Sequence, residues 1–485
     1  MRNRHLLTAL AIALTPALGA AQQSVASTTT VAPDSGKPAA ETTAKPAPKK
    51  FDPTIINPAA ASRAATQQPI TIQHIRALDQ RGLNVFETPK TDETPYNGFA
   101  LQWGAAFTQD FQGLGHSNTA APNLVAGVNQ NQLIRVGHGF NNAMANLYIN
   151  AQLAKGVRVA MTSYLSTRHH NETWVKDGYL LIDDSPIDIA PLNNLMKILT
   201  VKAGHFEINY GDQHFRRSDA GQSIYNPFVG NLIMDAFTTQ VGGEVYLRSN
   251  GLMAMGGITN GEVRGTIQNP QKRSPAYLAK LGFDRQMNEA LRVRLTGSMY
   301  AQYKSANGTL FSGDRGGSHY YDVMENVASS ETAQAWSGQI QPKMTNKEVA
   351  WVVNPFVKLN GLELFGNVEK VKGRGPNTVE KTDRTWNQLA VDGVYRFLPG
   401  EPLFVGARYN TAKGTLPGVT VNGLAGAPLA DLTLKRYAAS AGWFITPGVL
   451  TKIEYVSQKY LDYPVNNQLN GGKFNGFMVE GSVAF

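Results

Sequence analysis

The chain has 485 residues, no cysteine, 17% charged residues and a formal net charge of +9. Without cysteine, a disulfide scaffold, an iron–sulfur protein, a thiolate zinc site and a cysteine nucleophile are all excluded. No run of roughly 18 uninterrupted apolar residues occurs past the N-terminus, which excludes a polytopic helical membrane protein. The positive charge is spread along the chain, which argues against a dedicated nucleic-acid binder.

Residues 1–21 read as a signal peptide. Arg2, Arg4 and His5 form a cationic start, Leu6 to Leu14 an apolar core too short to span a bilayer, and Ala17, Gly19, Ala20 and Ala21 a small-residue cleavage region. Residues 22–50 are Ala, Thr, Pro, Lys and Ser with almost no large apolar side chain. Such a stretch buries too little surface to offset its ordering entropy, so a disordered linker is expected, kept extended by Pro33, Pro38, Pro46 and Pro48. Hydrophobicity returns in residues 51–98, at Ile55, Ile56, Ile70, Ile72, Ile75, Leu78, Leu83, Val85 and Phe86. That pattern suits either a periplasmic element or one packed into the lumen of a larger body.

Residues 99–485 alternate with period two. Leu291, Val293, Leu295, Gly297, Met299 and Ala301 fall on one face, and Arg292, Arg294, Thr296, Ser298, Tyr300 and Gln302 on the other. A strand sends successive side chains to opposite faces, so the segment has one apolar and one charged, hydroxylated face. About sixteen such segments follow one another, starting near Phe99, Ala143, Val157, Trp174, Ile198, Thr238, Leu252, Ala276, Leu291, Lys347, Leu362, Arg384, Leu403, Leu432, Val449 and Phe474.

Their connections alternate between long and short. The short ones carry turn chemistry: Lys155-Gly156, Ser249-Asn250-Gly251, Asn360-Gly361, Pro399-Gly400 and Pro447-Gly448. The long ones include 108–142, 207–237, 304–346, 411–431 and 459–473. The connection 183–197 breaks the parity by being long where a short one is expected. A soluble β-sandwich has no reason to sort its loops by parity, whereas an outer-membrane barrel has short periplasmic turns and long external loops. Phe99, Phe107, Phe283, Tyr303, Tyr395, Phe397, Trp443 and Phe485 lie near strand ends, as an aromatic girdle requires. The expected fold is an all-β transmembrane antiparallel barrel of about 16 strands.

These features, together with a last strand ending in Val483-Ala484-Phe485, resemble a Gram-negative outer-membrane porin. The segment from Val201 to Gly211 also resembles the strand-end motif of phosphate-selective porins, with Ile208-Asn209 where that family usually carries a Pro. The resemblance implies the outer membrane as location, its lipid and the barrel-assembly machinery as partners, and a homotrimer. It also implies that Phe485 is the assembly signal and that the third external loop folds into the barrel as a constriction. No cofactor is implied.

With the apolar faces toward lipid, the inward set includes Arg158, Arg248, Lys280, Arg292, Arg294, Lys358, Arg396, Arg408, Arg436 and Lys452. The acids on the same faces are Glu244, Glu363, Glu369, Asp392, Glu454 and Glu480. An excess of fixed positive charge in a pore favours anions. In the third external loop, Asp212, His214, Arg216, Arg217 and Asp219 bring both signs close together. Sixteen strands are expected to leave an aqueous channel. Three functions follow: a passive diffusion channel for small hydrophilic, preferably anionic solutes; a structural or adhesive barrel plugged by residues 51–95 and the loops; and a barrel enzyme. For the last, no Ser, His and polar orienter assemble on one face, and no P-loop, HExxH, GxSxG or EF-hand pattern occurs. His169-His170 reads as a loop pair rather than a metal site.

Overall fold

A computed structural model describes residues 68–485, apart from 89, 91, 93, 142, 167–171, 262–272, 306–307, 309, 312–318, 328, 330–337, 377–379, 419 and 422–423. The signal-peptide and linker segments and His169-His170 lie outside the described residues.

Sixteen long strands form one closed antiparallel barrel. In chain order they are β1 Ala100–Ser117, β2 Met144–Ala154, β3 Val157–Ser166, β4 Glu172–Ile182, β5 Leu199–Glu207, β6 Thr239–Ser249, β7 Leu252–Thr259 and β8 Ala276–Gln286. The second half comprises β9 Leu291–Gln302, β10 Lys347–Leu359, β11 Leu362–Arg374, β12 Arg384–Phe397, β13 Leu403–Leu416, β14 Leu429–Thr446, β15 Val449–Leu461 and β16 Lys473–Ala484. Each pairs with its chain neighbours, and β1 closes the ring by pairing with β16, with Ala106 opposite Ala484 and Ser117 opposite Lys473. Phe485 and Ala105 then exchange two backbone hydrogen bonds of 3.0 Å across the seam. A two-residue strand, Gly139–Phe140, adds to β1 near the external rim.

The alternation sorts side chains as expected. Leu281 is 68% exposed on the outside, while Lys280 beside it is fully buried inside. Lipid offers no hydrogen bonds, so a band of such exposed aliphatic and aromatic residues marks the surface as membrane-facing. The short turns meet their backbone demands. Asn250 and Gly251 both sit at positive φ (52° and 80°), the geometry a two-residue hairpin requires and that Asn-Gly supplies at low cost. The connection that broke the parity carries a short helix, α1 Ala190–Met196, with a proline at its start. The helix takes up the extra length, so the strand count and the sidedness of the loops are preserved.

The interior departs from the expectation of a water-filled channel. Residues 208–238, the third external loop, lie inside the barrel with most side chains buried. Part of the fifth external loop, 303–346, descends beside them: Ile233 accepts from the Ile340 amide at 2.9 Å, and Gln339 donates to the Leu232 carbonyl at 3.1 Å. The reason lies on the inner wall. Tyr300, Val352, Val371, Trp386, Leu432, Leu434, Phe474 and Met478 all point inward, and all are buried against loop residues such as Tyr210, Val229, Met234, Tyr320 and Met324. An apolar inner wall facing water costs free energy in proportion to its area, and the loops remove that area from water.

Candidate pore and the segments that fill it

The loop 208–238 leaves β5 through Gly211 at φ +71°, then makes a 3₁₀ turn at Gln213–Phe215. Asp212 at this bend accepts two 2.8 Å hydrogen bonds from Arg294 and one from Thr296, and pairs with Lys280 at 2.7 Å. Burial would raise its carboxyl, but the Arg294 and Lys280 charges outweigh this and hold it at about 2. Glu87, from the N-terminal segment, joins the same two bases at 2.8 Å (Arg294) and 3.1 Å (Lys280). Loop, N-terminal segment and wall therefore meet in one ion cluster. Beside it His214 is driven well below the usual histidine range, first by burial and then by Lys280. A neutral ring suits its 3.0 Å contact with Asn209 Oδ1.

Further along, Arg216 bonds Asn84 Oδ1 and stacks over Phe365 with 4.9 Å to the ring centre. Arg217 pairs with Asp235 and lies 4.6 Å from the centre of the Phe237 ring, and Asp219 takes Lys176 at 2.5 Å. The rest of the loop is tied to the wall through its backbone. Lys452 donates to the carbonyls of Ser223, Asn226 and Phe228 at 3.1, 2.8 and 2.8 Å. Arg408 donates to the Gly230 carbonyl at 2.8 Å, Arg436 to that of Asn231, and Glu454 accepts from the Val229 amide at 2.9 Å. A β-carbon on Gly230 would lie 2.2 Å from the Tyr320 hydroxyl, so only glycine lets the two loops approach this closely.

The described part of residues 68–99 lies across the opposite, periplasmic mouth. Gln80 donates its backbone N–H to Pro447 and its side chain to Gly400, both in periplasmic turns, at 2.9 and 2.8 Å. Asn84 donates to Glu363 at 2.6 Å, and Arg292 to the Asn84 carbonyl at 2.9 Å. Phe86 packs edge-on against Phe356 and Phe215 at 5.4 and 5.8 Å. Asn84 and Phe86 thus lie against inward-facing residues of the wall.

All ten inward bases named from the sequence have inward side chains held by partners. Arg292 pairs with Asp284 at 2.7 Å, Lys358 with Glu401 at 2.6 Å, Arg396 with Glu363 at 2.7 Å, Arg408 with Asp392 at 2.7 Å and Lys452 with Glu480 at 2.6 Å. Arg436 instead bonds Gln458 Oε1 at 2.6 Å. Arg158 and Arg248 approach one carboxylate, Asp183, at 3.9 and 3.8 Å. These last two border a cavity of about 300 Å³ between the β2–β6 wall, the third loop and the N-terminal segment. Three further bases line it that the alternation did not single out: Arg76, Lys176 and Lys202. Lys176 is the unpaired residue of a register shift where β3 meets β4, since Thr162 faces Asp177 and Ser163 faces Val175, which interrupts the simple alternation. Lys202 occupies a regular inward position on β5 and was legible there. Arg76 sits in the segment whose placement the sequence left open.

The barrel is closed and even-stranded, its outer band is apolar, its connections are mostly short at one rim and long at the other, and the third and part of the fifth long loop fold inward. This is a porin-like β-barrel fold. Among solved structures, the chain is similar to OprB of Pseudomonas putida, with 12% identity over 80% of this chain and 94% of that one and a TM-score of 0.48. It is also similar to the anion-selective porin from Comamonas acidovorans, with 10% identity over 80% and 100% and a TM-score of 0.45. The outer membrane channel DcaP of Acinetobacter baumannii gives 10% identity over 80% and 98%, with a TM-score of 0.45. No protein-family model and no curated protein sequence matches the chain.

Proposed function

We propose that this barrel is a passive, non-enzymatic diffusion channel for small hydrophilic solutes with a preference for anions. The observation that carries the reading is the cavity on the β2–β6 side. Arg76, Arg158, Lys176, Lys202, Arg217 and Arg248 border it, against the carboxylates of Glu87, Asp177, Glu207 and Asp219. Toward the periplasmic end two guanidinium groups share Asp183, so the local balance there is positive. Fixed charge in a narrow, low-dielectric passage sets which ions enter. Single-channel recording in planar bilayers tests the proposal. Open steps are expected, with a reversal potential on the anion side in a salt gradient, and R158Q/R248Q is expected to move that potential toward cations. A protein that inserts but gives no steps overturns the channel reading; an unmoved reversal potential overturns the anion preference alone.

A second reading, a plugged structural barrel, is favoured by one specific arrangement. Glu87 of the N-terminal segment and Asp212 of the third loop grip the same Arg294 and Lys280. On that reading the full-length protein is silent and conducts only once the N-terminal segment is released.

A further inference from the structure

The outer wall carries a second charge pattern, unrelated to the lumen. Lys435 on β14, Lys459 on β15 and Lys473 on β16 are direct cross-strand partners, Lys435 opposite Lys459 and Lys459 opposite Lys473. All three are exposed and on the lipid side. Like charges placed directly opposite on neighbouring strands repel, because their β-carbons are only about 5 Å apart. Inside the barrel such charges are matched, as with Arg408 and Asp392 or Lys452 and Glu480. Outside, among the described residues, none of the three lysines has a carboxylate partner. Lys413 on β13 extends the arc diagonally, since its neighbour Thr411 is opposite Lys435, and it pairs with Asp431 at 3.4 Å.

The surface below the lysines, toward the periplasm on the same faces, changes character in order. Tyr437 is two residues from Lys435, and Tyr455 and Phe477 are four residues from Lys459 and Lys473, all exposed, with Tyr455 and Phe477 rings 5.0 Å apart. Ile453 and Val479 follow. Ammonium, then aromatic, then aliphatic is the vertical profile of an anionic lipid in the external leaflet, read from headgroup to chain. A single lysine at this height reaches water by extending its own stem. Three in register, without counter-charge, call for an anion with more than one negative group.

We infer that the outer face of β14–β16 is a binding site for a phosphorylated lipid of the external leaflet. Its phosphates bridge Lys435, Lys459 and Lys473, and its acyl chains lie along Tyr437, Tyr455 and Phe477. The full-length barrel in neutral detergent is titrated with diphosphoryl lipid A, with the same lipid stripped of phosphate, and with inorganic phosphate. The readouts are the unfolding temperature of the barrel and native mass spectra. Diphosphoryl lipid is expected to bind and raise the unfolding temperature, and the other two probes are not. K435Q/K459Q/K473Q is expected to bind about a hundredfold more weakly, roughly fivefold for each ammonium removed. Without lipid the same variant is expected to be at least as heat-stable as the parent, because it has lost a repulsion. Should the triple variant fail to fold, K459Q alone still reads the effect, as a loss of about fivefold. Equal binding of the dephosphorylated lipid, an equal shift with inorganic phosphate, or undiminished binding by the variants overturns the proposal.

Discussion

His319, carried into the lumen by the fifth external loop, makes a 2.5 Å contact with Glu480 and one of 3.2 Å with Asp110, all three fully buried. Lys452 completes the cluster through Glu480. Burial works against a charged imidazole here, but the two carboxylates outweigh it and raise His319 to about 10. A histidine raised above its unfolded value contributes stability that is full below pH ~6.5 and is lost as pH rises toward 10. H319Q leaves two buried carboxylates with one lysine and is expected to cost about 3–5 kcal/mol. Unfolding of parent and variant followed from pH 6 to pH 10 should show a gap that narrows as pH rises. A gap of constant width would mean that the imidazole is neutral in the folded barrel.

At the scale of elements, the lumen is filled from both rims. The third loop comes from the external rim and is anchored on β13–β15 through carbonyls held by Lys452, Arg408 and Arg436. The N-terminal segment comes from the periplasmic rim and rests on Glu363, Arg292 and Phe356. Their contacts differ in kind: the loop is continuous with the wall at both ends, the segment only at Phe99. Deleting residues 68–95 is therefore expected to leave the barrel assembled and to raise single-channel conductance several-fold, while the third loop stays in place. Unchanged conductance in a correctly assembled deletion would remove the segment from the permeation path.

For the whole molecule, closure and sidedness are the testable properties. Phe485 takes part in both backbone hydrogen bonds at the seam with Ala105, once as donor and once as acceptor, while the residue stays 57% exposed. Deleting it should lower the amount of assembled barrel in the outer membrane without blocking export. Normal levels would show that the seam forms without it. A tag inserted at Gly127, in the exposed turn of the first external loop, should be reachable on intact cells, and one at Asn360-Gly361 should not. The reverse labelling would invert the barrel in the membrane.

The sequence by itself determined the barrel, an approximate count of sixteen strands, the inward or outward sense of its clearest amphipathic strands and the sorting of most loops to two rims. These are local properties: period-two alternation and turn chemistry are readable within about ten residues. Even Arg292 and Arg294 are assigned inward by their spacing and the cost of charge in lipid alone. What fills the lumen was not determined in this way. The grip of Glu87 and Asp212 on Arg294 and Lys280 joins segments up to 207 residues apart, a separation that alternation does not register. The same holds for Lys435, Lys459 and Lys473, each an ordinary exposed lysine on its own strand. Only the cross-strand register brings them side by side, because register depends on which residue of one strand faces which residue of the next, and that is a property of the closed barrel.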